Sequence, residues 1–297
     1  MELRSLYYFL AVAREGTITR AADFLHMTQP TLSRILIQLE EDVGTPLMVR
    51  GKRKIQLTEA GMILRRRAEE ILELVNKTEQ ELGSNDRDLE GQLNIGAAEC
   101  LAANLFLPKA MKAFSERHPL VTYDLYTGNA DLIKDRIDQG ILDLGLLLEP
   151  VDMIKYDFVR LPQREEWGLV VNREDALASR PHITPEDLCG IPLINTKRSI
   201  IQNEIASWAK DTYDRLRFVA TYNLLSNAIS MVENGIGSVI TISGSCYHRS
   251  MKKVIFVPFF PALTTDSVLV WKKNQVLSQT TTKFIEHIYS VLETSND

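Results

Sequence analysis

The polar residues Thr31, Arg34 and Gln38 recur at steps of three and four, with Gln29 just ahead of them. At that spacing they share one face of a helix. Amide, hydroxyl and guanidinium groups presented together are the groups that read base edges in a DNA major groove. Arginine forks onto guanine and glutamine onto adenine, so Arg34 is matched to a guanine edge and Gln29 to an adenine edge. A second concentration follows at Arg50, Lys52, Arg53 and Lys54. Four cations so close repel one another unless an anion offsets them, which points to phosphate or minor-groove contact. Other chemistries find less support. The histidines His26, His118, His182, His248 and His287 are scattered without ligand spacing, and the GIG at 235–237 lacks the rest of a dinucleotide fingerprint. Cys100 alone stands near a helix start, as a candidate nucleophile or redox-active thiol, although a buried small hydrophobe is the simpler reading.

The polar face needs a helix pair to hold it. Ile18, Ala21, Ala22 and Leu25 give a first short helix a small apolar face, on which a second helix can cross closely. Thr28 is placed to cap the second helix, and Pro30 falls in its first turn, where a missing amide proton costs nothing. Leu32, Ile35, Leu36, Leu39 and Val43 form its inward stripe at the 3.6 period. Leu3, Leu6, Tyr7, Leu10 and Ala13 make a supporting helix that ends at Gly16. Residues 47–57 (LMVRGKRKIQL) read as two short strands around the basic turn, a wing. From Thr58 a long helix runs to about Leu82, with Leu64, Ala68, Ile71, Val75, Thr78 and Leu82 alternating in steps of four and three. Such a heptad seam predicts a second copy as its partner. Two copies would set their reading helices on successive turns of one DNA face.

The totals fit this division. The chain of 297 residues has room for two or three domains. Residues 1–67 hold 11 Lys and Arg against 7 Asp and Glu, a balance of +4; the remainder holds 23 against 32, a balance of −9. A basic front on an acidic body suits a protein whose front alone meets polyanions. No secretory signal is expected, because Arg4, Arg14 and Glu15 interrupt the opening amphipathic helix. No apolar run approaches the roughly 18 residues of a membrane span. Three cysteines far apart imply no disulfide framework, and a cytoplasmic setting is expected.

Residues 83–91 (GSNDRDLEG) read as a hinge. Beyond them strands alternate with helices. Strands are expected at 93–97, 121–127 and 143–148, with helices at 104–118 and 130–140. A second series places strands at 167–171, 192–196, 218–222 and 238–242, with helices near 199–214 and 224–234. Strands at 253–259 and 267–271 and a helix at 276–292 close the chain. This grammar predicts mostly parallel sheets in two lobes with a cleft between them.

Taken together, the run LYYFLAVAREGTITRAADFLHMTQPTLSRILIQLEEDVGTPLMVR, the LTEAG at 57–61 and the later segments RLPQREEWGLVV and SMVENGIGSVITI resemble the LysR-type transcriptional regulators. Met48 stands where phenylalanine is usual in that family, and Val43 replaces a common leucine. The resemblance implies a winged helix-turn-helix over 1–58, a dimerising linker helix and hinge over 59–90, and a two-lobed effector domain over 91–297. That α/β domain is similar to periplasmic binding proteins, with one lobe at about 91–162 and 266–297 and the other at about 163–265. It implies a bacterial regulator that is not an enzyme. Its partners would be an operator of interrupted dyad symmetry, RNA polymerase and further copies of itself, up to a homotetramer. It would need no cofactor beyond a small-molecule effector. By position, Gln29, Pro30, Thr31, Ser33 and Arg34 match the motif that meets DNA, and Arg50 and Arg53 match the wing.

The effector cleft is expected at the carboxyl ends of strands, where helix amino termini point inward. Three segments qualify: Ala98, Glu99 and Cys100; Thr127, Gly128 and Asn129; and Asn195, Thr196, Arg198 and Ser199 with Lys197 between them. Arg198 and the helix termini favour a small carboxylate. Glu99 and Cys100 depart from the Ser or Thr that the family often offers there, and Glu99 argues for an amine or a mixed ligand. The competing expectations are a DNA-binding regulator without an effector, a cysteine redox sensor and an α/β enzyme.

Overall fold

A computed structural model of the protein describes residues 1–50, 55–83, 89–247 and 251–294. The chain divides into two compact units, Met1–Gly83 and Ser84–Asp297.

In the first unit, α1 (Leu3–Glu15) stops at Gly16, whose φ of 74° suits the left-handed end of a helix. Helix α2 (Ile18–Phe24) is capped by Thr17, whose Oγ1 accepts from the Arg20 amide at 3.2 Å. Ala21 and Ala22 are buried, so α3 (Gln29–Val43) can cross closely. The stripe α3 turns inward is Leu32, Leu36 and Leu39; Ile35 is half-buried, and Val43 is 38% exposed rather than internal. Val43 is the last residue of the helix, and Gly44 turns the chain directly after it, with φ 76°. Thr28 takes the capping position, but its hydroxyl shares a 2.8 Å hydrogen bond with Thr31 instead of reaching a backbone amide. Strands β1 (Met48–Arg50) and β2 (Ile55–Leu57) pair antiparallel as the wing. Glu40 ties α3 to that wing, its Oε1 accepting from the amides of Leu47 (2.7 Å) and Met48 (3.2 Å). The basic turn with Lys52, Arg53 and Lys54 lies outside the described residues, as does the side chain of Arg50.

On the long helix α4 (Glu59–Gly83) the first part of the expected seam also serves this unit, while the side chain of Leu82 lies outside the described residues. Ala68 is fully buried, and Leu64 and Ile71 are partly buried, all within this unit's own core. Heptad spacing serves a neighbouring helix of the same chain as well as it serves a second copy. The apolar residues that α4 leaves exposed include Met62, Ile63 and Leu74.

In the second unit the elements run β3 (Glu90–Ala97), α5 (Leu101–Leu105), α6 (Leu107–Arg117), β4 (Leu120–Thr127), α7 (Ala130–Asp138), β5 (Leu144–Leu148) and β6 (Tyr156–Asn172). They continue with β7 (Pro192–Thr196), α8 (Ser199–Ala209), β8 (Arg217–Tyr222), α9 (Leu225–Glu233), β9 (Ser238–Ile242), α10 (Ser243–Cys246), β10 (Val254–Pro258), β11 (Thr264–Lys272) and α11 (Gln279–Thr294). Along the sheet the order is β4-β3-β5-β11-β6-β9-β7-β8, with β10 on β6. Two lobes follow from it. β3 pairs parallel with β4 and β5 in one, and β7 pairs parallel with β8 and β9 in the other. Between them β6 and β11 run antiparallel to each other and to their neighbours, so the sheet is mixed rather than mostly parallel. Residues 156–166 of β6 escape a sequence reading because Pro162 and the charged run Arg164–Glu166 look like a loop. Pro162 sits where the β6–β11 register shifts, between the Arg164 and Arg160 pairings, a place that tolerates a missing donor. The expected helix at 104–118 is split into α5 and α6, with Pro108 in the first turn of α6.

Candidate functional site

The amino-terminal half of α3 carries the reading face. Gln29, Pro30, Thr31 and Arg34 are exposed and Ser33 is half-buried. Gln38 is exposed as well, and its Nε2 donates to Asp42 at 3.1 Å one turn on. Behind them Leu32 and Leu36 are anchored in the core, so the backbone presenting these groups is held rigidly.

Between the lobes of the second unit lies a cavity of about 90 Å³. Ala98, Glu99, Gly128, Asn129, Thr196 and Arg198 line it, as the sequence predicts. Four other candidates do not. Thr127 lines a neighbouring cavity of about 330 Å³ that shares Ala98 and Glu99 with the first. The Asn195 side chain turns back on its own strand, where its Oδ1 accepts from the Thr196 amide at 2.8 Å. Ser199 is exposed beyond the rim. Cys100 is fully buried in the core, and burial pushes its thiol up to about 12, so it carries no thiolate at neutral pH.

Of the helix starts at the cleft, α7 and α9 meet acceptors from the chain itself, while Arg198 at the start of α8 makes no side-chain cap hydrogen bond. At α7 the Asn129 Oδ1 accepts from the amides of Asp131 and Leu132, at 3.1 and 3.0 Å. At α9 the Glu99 carboxylate accepts from the Leu225 amide at 3.1 Å. Arg198, before α8, reaches across to Asp131 of the opposite lobe, its Nε 3.1 Å from Oδ2 and its Nη2 3.4 Å from Oδ1. Lys134 lies 3.0 Å from the same carboxylate. Partial burial pushes the Asp131 carboxyl up, but hydrogen bonds from Arg198 and Lys134 outweigh it and hold the group below the usual carboxylate range.

Sequence reasoning misses the wall residues that come from strand interiors and ends: Leu148, Trp167, Tyr222 and Thr241. Trp167 and Thr241 sit inside apolar runs that read only as core. Asn223 and Leu224 also line the cavity, and a signal for them existed, since they join the strand at 218–222 to the next helix.

On β6, the strand that joins the lobes, lies a carboxylate the sequence did not single out. Glu165 of β6 is fully buried. It accepts from the Leu101 amide that opens α5, from the Gly244 amide in α10 at 2.8 Å, and from Ser243 Oγ at 3.2 Å. Gly244 must lack a side chain, because a Cβ there would strike the Leu101 amide and the Glu165 carboxylate.

A winged helix pair with an exposed polar reading face, in one chain with a two-lobed body around a cavity, defines a ligand-responsive regulator class. Residues 3–62 match the model of the bacterial regulatory helix-turn-helix proteins of the lysR family, and residues 86–293 match the LysR substrate binding domain. The chain belongs to the LysR family of transcriptional regulators. It is 31% identical to the Hca operon transcriptional activator HcaR of Escherichia coli (strain K12), over 93% of each chain. It is 28% identical to the HTH-type transcriptional regulator BsdA of Bacillus subtilis (strain 168), over 96% of this chain and 99% of the other. Its fold is similar to that of full-length CbnR in complex with target DNA, with a TM-score of 0.75 at 23% identity, over 98% of this chain and 99% of that one. No helix among the described residues is long and apolar enough to cross a membrane.

Proposed function

We propose that the protein binds an operator of interrupted dyad symmetry through α3, and that a small molecule in the interlobe cavity controls its action on RNA polymerase. It works without a cofactor and without enzymatic activity, in the cytoplasm, as a homodimer built on α4 and as a tetramer of two such dimers. The carrying observation is the exposed Gln29, Thr31, Arg34 and Gln38 face on a helix whose opposite face is locked in a core. The similarly folded CbnR forms a complex with its target DNA, which supports the assignment. Burial of Cys100 weighs against a thiol sensor.

Operator binding by substituted chains tests the reading. Arg34→Ala costs about 1–3 kcal/mol on the cognate site and relaxes preference at one base pair, whereas Arg53→Ala weakens all sequences alike and lowers the salt slope. Wild-type affinity and salt dependence in both variants would refute the groove assignment.

A further inference from the structure

A glutamine on a polar helix face can turn either end of its amide outward, so by itself it reads donors and acceptors alike. On the reading face of α3, Gln38 is held. It shares its side of the helix with Asp42, one turn on, and its Nε2 donates to Asp42 Oδ1 at 3.1 Å. An ionised carboxylate only accepts hydrogen bonds. The nitrogen end of the amide must therefore face Asp42, and Oε1 is turned away from it. Asp42 is anchored in turn, with its other oxygen, Oδ2, 3.0 Å from the Met1 amino nitrogen. The Gln38 hydrogen bond, and after it that amino group, hold the Asp42 carboxyl below the usual carboxylate range, so it is ionised at neutral pH. An acid in the last turn of a helix opposes the helix dipole, and no basic residue stands in the last turn of α3 to offset it. Within α3, the contact that Asp42 makes is the one to Gln38.

We infer that Asp42 is a positioning residue for sequence reading: it fixes the Gln38 amide with Oε1 as the outward acceptor, so that Gln38 favours adenine or cytosine over guanine or thymine. In the major groove adenine N6 and cytosine N4 donate hydrogen bonds, whereas guanine and thymine present acceptors. Either amine satisfies Oε1, and adenine N7 can also accept the second Nε2 hydrogen. Asp42 itself touches no base; it acts through Gln38. This inference rests on α3 lying in the major groove.

Selection from a pool of random-sequence duplexes by the full-length protein, with the bound DNA sequenced, tests it. Wild type favours adenine or cytosine over guanine and thymine about fivefold at one position, and Gln38→Ala removes the preference there. Asp42→Ala frees the amide to turn, so the amine bases lose their advantage at that position, while the position that depends on Arg34 keeps its own. Asp42→Lys offers only donors, which draws Oε1 toward it and moves the advantage to guanine or thymine. A lysine also suits the end of a helix, so this variant serves if the alanine one fails to fold. A change of base preference at one position is not what a merely structural role for Asp42 would give. Retention of the amine-base preference in either Asp42 variant would overturn the inference. So would a Gln38-dependent preference for guanine or thymine in wild type, or no position that depends on Gln38. In each of these cases a motif altered by Arg34→Ala leaves the groove reading standing. A motif unchanged in both Arg34→Ala and Gln38→Ala would overturn the groove reading and the inference with it.

Discussion

Glu165 shows how much one side chain can hold. A buried carboxylate with no counter-cation bonded to it among the described residues is expensive, and here the Leu101 amide, the Gly244 amide and Ser243 Oγ answer it. Glu165→Gln retains one acceptor and turns an amide donor toward another donor, so the second unit should lose about 1–3 kcal/mol of stability. Burial pushes the Glu165 carboxyl up despite its three hydrogen bonds. A carboxyl whose folded pKa exceeds its unfolded value takes up a proton on folding in the interval between the two. Its contribution therefore grows as pH falls through the folded value, and reaches its limit below the unfolded one. Urea denaturation from neutral to mildly acidic pH should show this component in wild type and not in Glu165→Gln. An identical pH dependence in both proteins would exclude it. In the sequence Glu165 is one acid in the run RLPQREEW, and nothing local separates it from its exposed neighbour Glu166. Its partners are 64 and 79 residues away.

Among the elements, α4 has its start set by local chemistry. Thr58 Oγ1 accepts from the Gly61 amide at 3.0 Å and donates to the Pro46 carbonyl at 2.8 Å, so one hydroxyl caps the helix and ties it to the segment before the wing. Gly61 then passes against the Leu47 carbonyl, where a Cβ would collide with it. Gly61→Ala should push the helix off the wing, lowering stability by about 1–3 kcal/mol or more. Thermal unfolding of the full-length chain measures it, and an unchanged melting temperature would mean that the close approach carries no weight. The LTEAG run was legible as a helix start. Why its last residue is glycine emerged only with Leu47 in place above it.

At the scale of the whole molecule, assembly turns on the part of α4 that its own unit leaves uncovered. Leu64, Ala68 and Ile71 are used within the unit, while Ile63 is 54% and Leu74 43% exposed. If two copies join through α4, Ile63→Glu or Leu74→Glu should shift the assembly toward monomer in sedimentation, and Leu64→Ala should act mainly on the stability of the unit. An unchanged assembly mass for both charged variants would place the interface elsewhere. The first half of the expected seam, Leu64, Ala68 and Ile71, packs in the unit's own core, because a 3.5-residue repeat records burial and not the identity of the neighbour.

By itself, the sequence determined the elements whose signals are local. The reading helix with its periodic apolar stripe, the wing, the alternating strands and helices of the body, and the strand-end loops at Ala98, Gly128 and Thr196 all follow from patterns within about a dozen residues. Tertiary structure decided what depends on partners far along the chain. It paired Arg198 with Asp131 and placed Glu99 on the Leu225 amide. It also carried Cys100 into the core and brought Trp167 out of an apolar strand to the cavity wall. The physical reason is the same in each case. Charge balance and burial are sums over neighbours in space, and the chain order of those neighbours leaves no local pattern to read.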